Sequence, residues 1–375
     1  MLPNLYPHML NGFLLSVLLI VGLRPIAREL RLLDLPTARK RHSGEVPLCG
    51  GLAIFLAFVF GGFGLSEAYR LPWYWLLGLL LLVLIGLADD RWRLPPFPRL
   101  AVQTIAAGIM SAGTGALLLF DTGPSMTWQL SAPPLVGGLS LLFIVGTANA
   151  INMLDGADGL AGITVAAALF WLAVIGAHVG DGLVAMQSLM MIAAVLGFLA
   201  FNARHPWRRQ ASIFLGDSGS MILGGLLATL ILHLASSGRV VPAVSYVALL
   251  WLVILPICDT LSLVVRRVAA SRSPLSSDRW HLHHLLLDSG VPIAAVAPIV
   301  GGISALCGGV AYCGIVFRVP DFYLALGLLV PIAAHTAFVI AFQGSLRFAR
   351  PASDNGDTSR FQAEALARHT NEVIG

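Results

Sequence analysis

Four short polar groups interrupt an otherwise apolar chain, and their residue types suit chemistry on a diphosphate. They are Asp89-Asp90; Asn149-Ala-Ile-Asn152-Met-Leu-Asp155-Gly-Ala-Asp158-Gly159; Phe214-Leu-Gly216-Asp217-Ser-Gly219; and Ser276-Ser-Asp278-Arg279-Trp-His281-Leu-His283-His284. A diphosphate needs a divalent metal bridging its oxygens. Mg²⁺ takes one or two carboxylates together with phosphate and water oxygens. Arginine grips phosphate through a planar fork, and histidine adds hydrogen bonds or positive charge near neutral pH. A glycine-rich turn at a helix start lets phosphate approach backbone N–H groups. Taken singly, each group also has a structural explanation. Asp89-Asp90 could be a polar stop at a helix end, the Asp-Gly pairs turns, Asp217 a helix cap, and Arg279 with the three histidines an interfacial surface.

The elements that must position these groups are membrane helices. Of the 375 residues, 57% are hydrophobic and 11% charged, against about 25% charged in a soluble domain. Mean hydropathy is +0.83. Apolar runs of about 20 residues between charged or Pro/Gly-rich breaks predict about eleven transmembrane helices. They lie near 8–23, 50–66, 72–88, 100–120, 133–149, 159–178, 183–201, 219–236, 243–264, 292–316 and 320–343. Residues 9–23 have no basic segment before them and a second apolar run soon after, so they are expected to remain as a first span rather than act as a signal peptide. The segments 24–48, 89–99, 202–217, 265–290 and 344–375 hold 20 of the 23 Lys and Arg residues. Cytoplasmic loops carry that excess; with an odd number of spans, the N-terminus is then periplasmic and the C-terminus cytoplasmic.

The expected fold is an all-α polytopic integral membrane protein of the bacterial inner membrane. Residues 1–343 form its transmembrane domain with cytoplasmic active-site loops, and 344–375 a polar cytoplasmic tail. All four polar groups fall at cytoplasmic span ends, where charge near a bilayer needs a reason. Four separate structural explanations do not account for one shared face. The topology rule also explains the net charge of +4, so no nucleic-acid partner is expected. The four cysteines lack metal-type spacing and read as small buried hydrophobes.

The motifs resemble those of the polyprenyl-phosphate N-acetylhexosamine-1-phosphate transferases of the MraY superfamily, and most of all their WecA-like branch. The resemblance runs from about residue 24 to 290. It rests on five motifs in order: Asp34-x-Pro36-x-x-Arg39-Lys40-x-His42 followed by Pro47 and Gly50-Gly51; Asp89-Asp90; the Asn149–Gly159 loop; Phe214-x-Gly216-Asp217-x-Gly219-Ser220; and Ser273-Pro-x-Ser-x-Asp278-Arg279-x-His281-x-His283-His284. It implies transfer of N-acetylhexosamine 1-phosphate from a UDP-sugar to undecaprenyl phosphate, with release of UMP at the start of lipopolysaccharide or O-antigen type glycan synthesis. It implies Mg²⁺, or Mn²⁺ in its stead, with Asp217 as the main ligand. Asp89, Asp90 and Asp155 are then the catalytic carboxylates. Substrate contacts fall to Lys40, Asn149, Asn152, Asp158, Phe214, Arg279, His281, His283 and His284, with Phe214 stacking on uracil.

One position departs from the family pattern. Many relatives read Asp-Asp-x-x-Asp at the first acidic motif, and this chain has Arg93 at the last place. A mechanism that needs three acids there is not expected. The form of the histidine motif disfavours a peptide-bearing donor such as that of MraY. UDP-GlcNAc, UDP-FucNAc and UDP-QuiNAc stay open as donors, as does a homodimer. The rival class is a secondary transporter, whose charged sites lie near the bilayer midplane in repeated halves; here the acids lie at span ends and no repeat is visible.

Overall fold

A computed structural model describes residues 5–35, 44–112, 118–121, 127–130, 133–236, 244–271, 273 and 281–349. The chain divides into a unit spanning Met1–Ala333, which holds every contact discussed below, and a second unit, Ala334–Gly375. The helices are α1 (Leu5–Glu29), α2 (Gly50–Gly61), α3 (Trp73–Trp92), α4 (Pro96–Ser111), α5 (Pro133–Leu154), α6 (Leu160–Val179), α7 (Gly182–Asn202), α8 (Gly216–Ser236), α9 (Tyr246–Leu250), α10 (Ile254–Ala269), α11 (Leu282–Asp288), α12 (Ile293–Val316) and α13 (Asp321–Ala349). Lipid offers the backbone no hydrogen bonds, so a spanning segment must satisfy its own, and the helix does this locally.

Eight of these helices are long and apolar enough to cross a membrane: α1, α3, α5, α6, α7, α8, α12 and α13. The three other expected spans take different forms. The run 50–66 contains α2, with 12 residues, a length of about 18 Å against a hydrocarbon core of about 30 Å. The run 100–120 contains most of the 16-residue α4 and ends in a strand. That strand, β3 (Leu118–Asp121), pairs antiparallel with β4 (Thr127–Leu130), Leu118 facing Leu130. The run 243–264 is broken at Trp251–Val253 into α9 and α10. A second ribbon pairs β1 (Leu33–Asp34) with β2 (Val46–Pro47). Hydropathy sums along the chain and does not register such breaks. The polar tail expected after residue 343 lies largely outside the described residues.

The helix α8 is the axis of the first unit. Its apolar window is 94% buried, whereas those of α1 and α13 are 17% buried. It packs against α2, α3, α5 and α6. Small residues set the approach, since lipid tails are as apolar as leucine and close van der Waals packing must hold the helices together. At Gly86 in α3, an added Cβ would lie 2.3 Å from the Ser218 Cα. That contact seats the last turn of α3 on the first turn of α8. Among the cysteines, Cys49, Cys258 and Cys307 are buried as expected, but Cys313 is exposed on α12.

Candidate active site

The α3–α8 contact decides which carboxylates meet. Asp89 and Asp90 occupy the final turn of α3. The helix stops at Arg93, which adopts a left-handed conformation (φ 50°) while its N–H donates to the Asp89 carbonyl at 2.8 Å. The Arg93 side chain is exposed, and this is where the usual third acid would stand. Asp89 is buried. It accepts hydrogen bonds from the Leu94 N–H at 2.7 Å and from Arg99 Nη1 at 2.6 Å. Asp90 reaches across to α8 and accepts from the backbone N–H groups of Asp217 (2.8 Å) and Ser218 (3.4 Å). It therefore caps the positive end of α8 from another helix. Gly216 makes room for it: its φ is +73°, and a Cβ there would lie 2.5 Å from Asp90 Oδ2.

Asp217 is the open member of the group, with 34% of its side chain exposed against 6% for Asp89. Its Oδ1 accepts from Asn152 Nδ2 at 2.8 Å, and the same amide donates to Ser220 Oγ at 2.9 Å. Arg99 Nη1 lies 3.7 Å from Asp217 Oδ2, so one guanidinium serves both Asp89 and Asp217. With oxygens 2.6 and 3.7 Å from one nitrogen, the two carboxylates are close neighbours. Anions held this close require a shared proton or a cation. Among the described residues, no three His, Cys, Asp or Glu side chains converge to enclose a metal. The donor set of Asp217 with Asp89 nevertheless fits a hard cation of the Mg²⁺ type, which uses one or two carboxylates and completes its shell with phosphate and water.

The Asn149–Gly159 segment forms the end of α5 and the turn that follows. Asn149 points back along the bundle, where its Nδ2 donates to Gln103 Oε1 (2.7 Å) and the Val145 carbonyl (2.8 Å). Asp158 Oδ2 accepts from Arg204 Nε at 2.7 Å and from the Ala211 N–H at 3.0 Å. Asn202 ties the Gly159 N–H to the Ile213 carbonyl. The turn and the 203–215 loop are thus one braced unit, which also carries Phe214. The Phe214 backbone bridges the Pro47 carbonyl and the Gly50 N–H, at 2.9 and 3.1 Å.

The histidines complete the described site. The His283 imidazole lies against Gly156, beside Asp155; a Cβ on that glycine would fall 2.1 Å from Nε2. The His281 and His283 rings are stacked at 5.7 Å and 14°, and His283 lies 4.1 Å from His284. The structure therefore brings together Asp89, Asp90, Asn152 and Asp217, and sets the histidines on the Asp155 turn. Lys40 and Arg279 lie outside the described residues. Arg99, Gln103, Arg204 and Asp259 are polar partners that motif reasoning passed over. Arg99 and Gln103 did leave a signal, being four residues apart on one face of an otherwise apolar helix.

The chain is similar in sequence to known proteins. The glycosyl transferase family 4 model matches residues 72–235, the stretch that holds the three carboxylates and the Asn149–Gly159 turn. The undecaprenyl-phosphate α-N-acetylglucosaminyl 1-phosphate transferase of Escherichia coli K12 is 32% identical over 285 residues, covering 75% of this chain and 76% of that protein. The protein of the same name from Haemophilus influenzae is 29% identical over 327 residues, 85% and 89% of the two chains. A probable undecaprenyl-phosphate N-acetylglucosaminyl 1-phosphate transferase of Bacillus subtilis is 33% identical over 287 residues, 75% and 77%. With this similarity spread over three quarters of its length and the acidic motifs of the pattern assembled at one end of its bundle, the chain belongs to the polyprenyl-phosphate N-acetylhexosamine-1-phosphate transferases.

Proposed function

We propose that this chain transfers N-acetylglucosamine 1-phosphate from UDP-GlcNAc to undecaprenyl phosphate, with release of UMP, at the cytoplasmic face of the bacterial inner membrane. The observation that carries this reading is the convergence of Asp89, Asp90 and Asp217 from two antiparallel helices, with Asn152 held on Asp217. The relatives' names supply the acceptor, undecaprenyl phosphate, and the transferred N-acetylglucosaminyl 1-phosphate group, and the motif resemblance supplies the UDP-linked donor. The product is the first intermediate of a lipid-linked surface glycan. The distribution of 20 of 23 basic residues supports a periplasmic N-terminus and a cytoplasmic C-terminus, provided that α2, α4 and the α9–α10 pair, with their flanking segments, each complete a crossing and bring the eight long helices to the odd total of eleven. A reporter fused after Gly375 that works only in the periplasm would reverse that orientation.

Magnesium is the proposed cofactor, with Asp217 as its main ligand and Asp89 beside it; bound there, it would neutralise charge on the donor diphosphate. The chain's own residues supply the rest. Asn152 orients the Asp217 carboxylate, and Arg99 holds Asp89 in place. Arg279, Lys40 and the histidines add positive charge and donors for the phosphates. Phe214 gives uracil an aromatic face. A lipid phosphate has a second pKa near about 6, so it is largely a dianion at neutral pH and needs little deprotonation. Its oxygen attacks the β-phosphorus in line, and UMP departs. Direct attack is favoured over a covalent aspartyl intermediate because the acceptor is already anionic and nucleophilic, and the larger barrier, bringing two anions together, is lowered by positive charge and positioning at the site.

The test is UMP release by purified protein given undecaprenyl phosphate, Mg²⁺ and, in separate reactions, UDP-GlcNAc, UDP-FucNAc and UDP-QuiNAc. Fastest turnover with UDP-GlcNAc is expected. Fastest turnover with another donor would change the sugar, and no UMP from any of them would refute the reaction. Exchange of labelled UMP into UDP-GlcNAc without acceptor, in delipidated enzyme, would refute direct displacement.

A further inference from the structure

The helix α10 is amphipathic in the reverse of the soluble sense. Leu261, Val265 and Val268 form an exposed apolar ridge, at 59%, 66% and 57%, while Asp259 and Arg267 are buried at 2% and 3%. Burying a carboxylate is costly unless it holds something. Asp259 holds the histidine segment. Its Oδ1 accepts from the N–H of Leu282, the first residue of α11, at 3.0 Å. Its Oδ2 lies 3.5 Å from Nδ1 of His281, a side chain only 11% exposed.

We propose that Asp259 is a positioning residue for the transfer reaction, holding His281, and through it the stacked histidines, against the Asp155-Gly156 turn. The inference rests on the function proposed above. A helix cap alone would occupy one carboxylate oxygen, whereas here the second faces the imidazole. A carboxylate at Nδ1 fixes the ring's orientation and tautomer, so that Nε2 is the nitrogen left to meet a ligand. His281 Nδ1 is buried and makes no ordinary hydrogen bond, so the 3.5 Å contact can tighten when substrate closes the site. The ring orientation then passes by stacking from His281 to His283, which abuts Gly156. Asp259 touches no reacting atom in this scheme; it acts through His281.

The test compares Asp259→Asn, His281→Gln and the double variant of the full-length protein. Assays use UDP-GlcNAc, undecaprenyl phosphate and Mg²⁺ under single-turnover conditions with radiolabelled donor, which resolves rates far below that of the unaltered enzyme. Asp259→Asn is expected to lower the rate tenfold or more with an unchanged acceptor KM, and the double variant to be no slower than the slower single one. A structural role would instead give losses that multiply. Multiplied losses, or an unchanged rate in Asp259→Asn, would overturn the positioning role while leaving the reaction standing. No transfer by the unaltered enzyme would overturn both. If Asp259→Asn does not accumulate as folded protein, Asp259→Glu replaces it, with the same non-multiplicative result expected because the carboxylate is displaced rather than removed.

Discussion

Replacing Arg99 with methionine tests the electrostatic logic of the site. The guanidinium lies 2.6 Å from Asp89 and 3.7 Å from Asp217, and it is 23% exposed. Two unit charges about 4 Å apart interact by about 4 kcal/mol at an effective dielectric constant near 20, before desolvation is subtracted. Breaking a fully buried pair costs about 3–5 kcal/mol, and a surface pair about 0–1 kcal/mol. With one partner buried and the other partly open, Arg99→Met should cost about 2 kcal/mol. Methionine keeps much of the apolar stem, so the loss is of charge rather than packing. The variant leaves two facing carboxylates with no counter-charge, which a divalent cation should relieve. Purified protein would be melted with and without Mg²⁺ by intrinsic tryptophan fluorescence. A lower Tm without metal is expected, together with a larger Mg²⁺-induced rise than in the unaltered protein. If Tm is unchanged, Arg99 does not neutralise the pair. If Tm falls but Mg²⁺ restores no more than it does in the unaltered protein, the cation does not bind between Asp89 and Asp217.

Three further substitutions read other parts of the site. Asp217→Asn keeps the shape but removes the anionic oxygen a hard cation needs, so UMP release should fall at least a hundredfold and lose much of its Mg²⁺ dependence; ordinary turnover would move the metal elsewhere. Phe214→Ala should raise the donor KM more than it lowers kcat, since stacking on uracil helps ground and transition states alike; a defect in kcat alone would count against stacking. Arg93→Asp should leave activity within about threefold, because the side chain is exposed beyond the helix end and aspartate tolerates the left-handed conformation there; complete loss would reveal a role for Arg93.

The sequence by itself determined the class of protein and singled out the acidic and histidine motifs, but not their partners Arg99, Gln103, Arg204 and Asp259. Hydropathy is a sum over neighbours along the chain, so the long apolar runs were legible without knowledge of what they touch. The motifs are local strings, so Asp89-Asp90, the Asn149–Gly159 loop, Asp217 and the histidines stood out by type and spacing. Only the tertiary structure decided how these residues are used. Asp90 meets the Asp217 N–H across 127 positions, and Asn152 meets Asp217 across 65. Both contacts depend on how α3 and α5 pack on α8. That packing turns Asp90 into the cap of α8, engages Asp158 with Arg204, and aims Asp259 at His281. The lengths of α2 and α4 and the break before α10 escaped the sequence for a related reason. An apolar run reports the cost of leaving lipid, which is the same whether a segment spans, stops partway or bends. The choice among these is made by backbone hydrogen bonds and neighbouring helices, which no one-dimensional average contains.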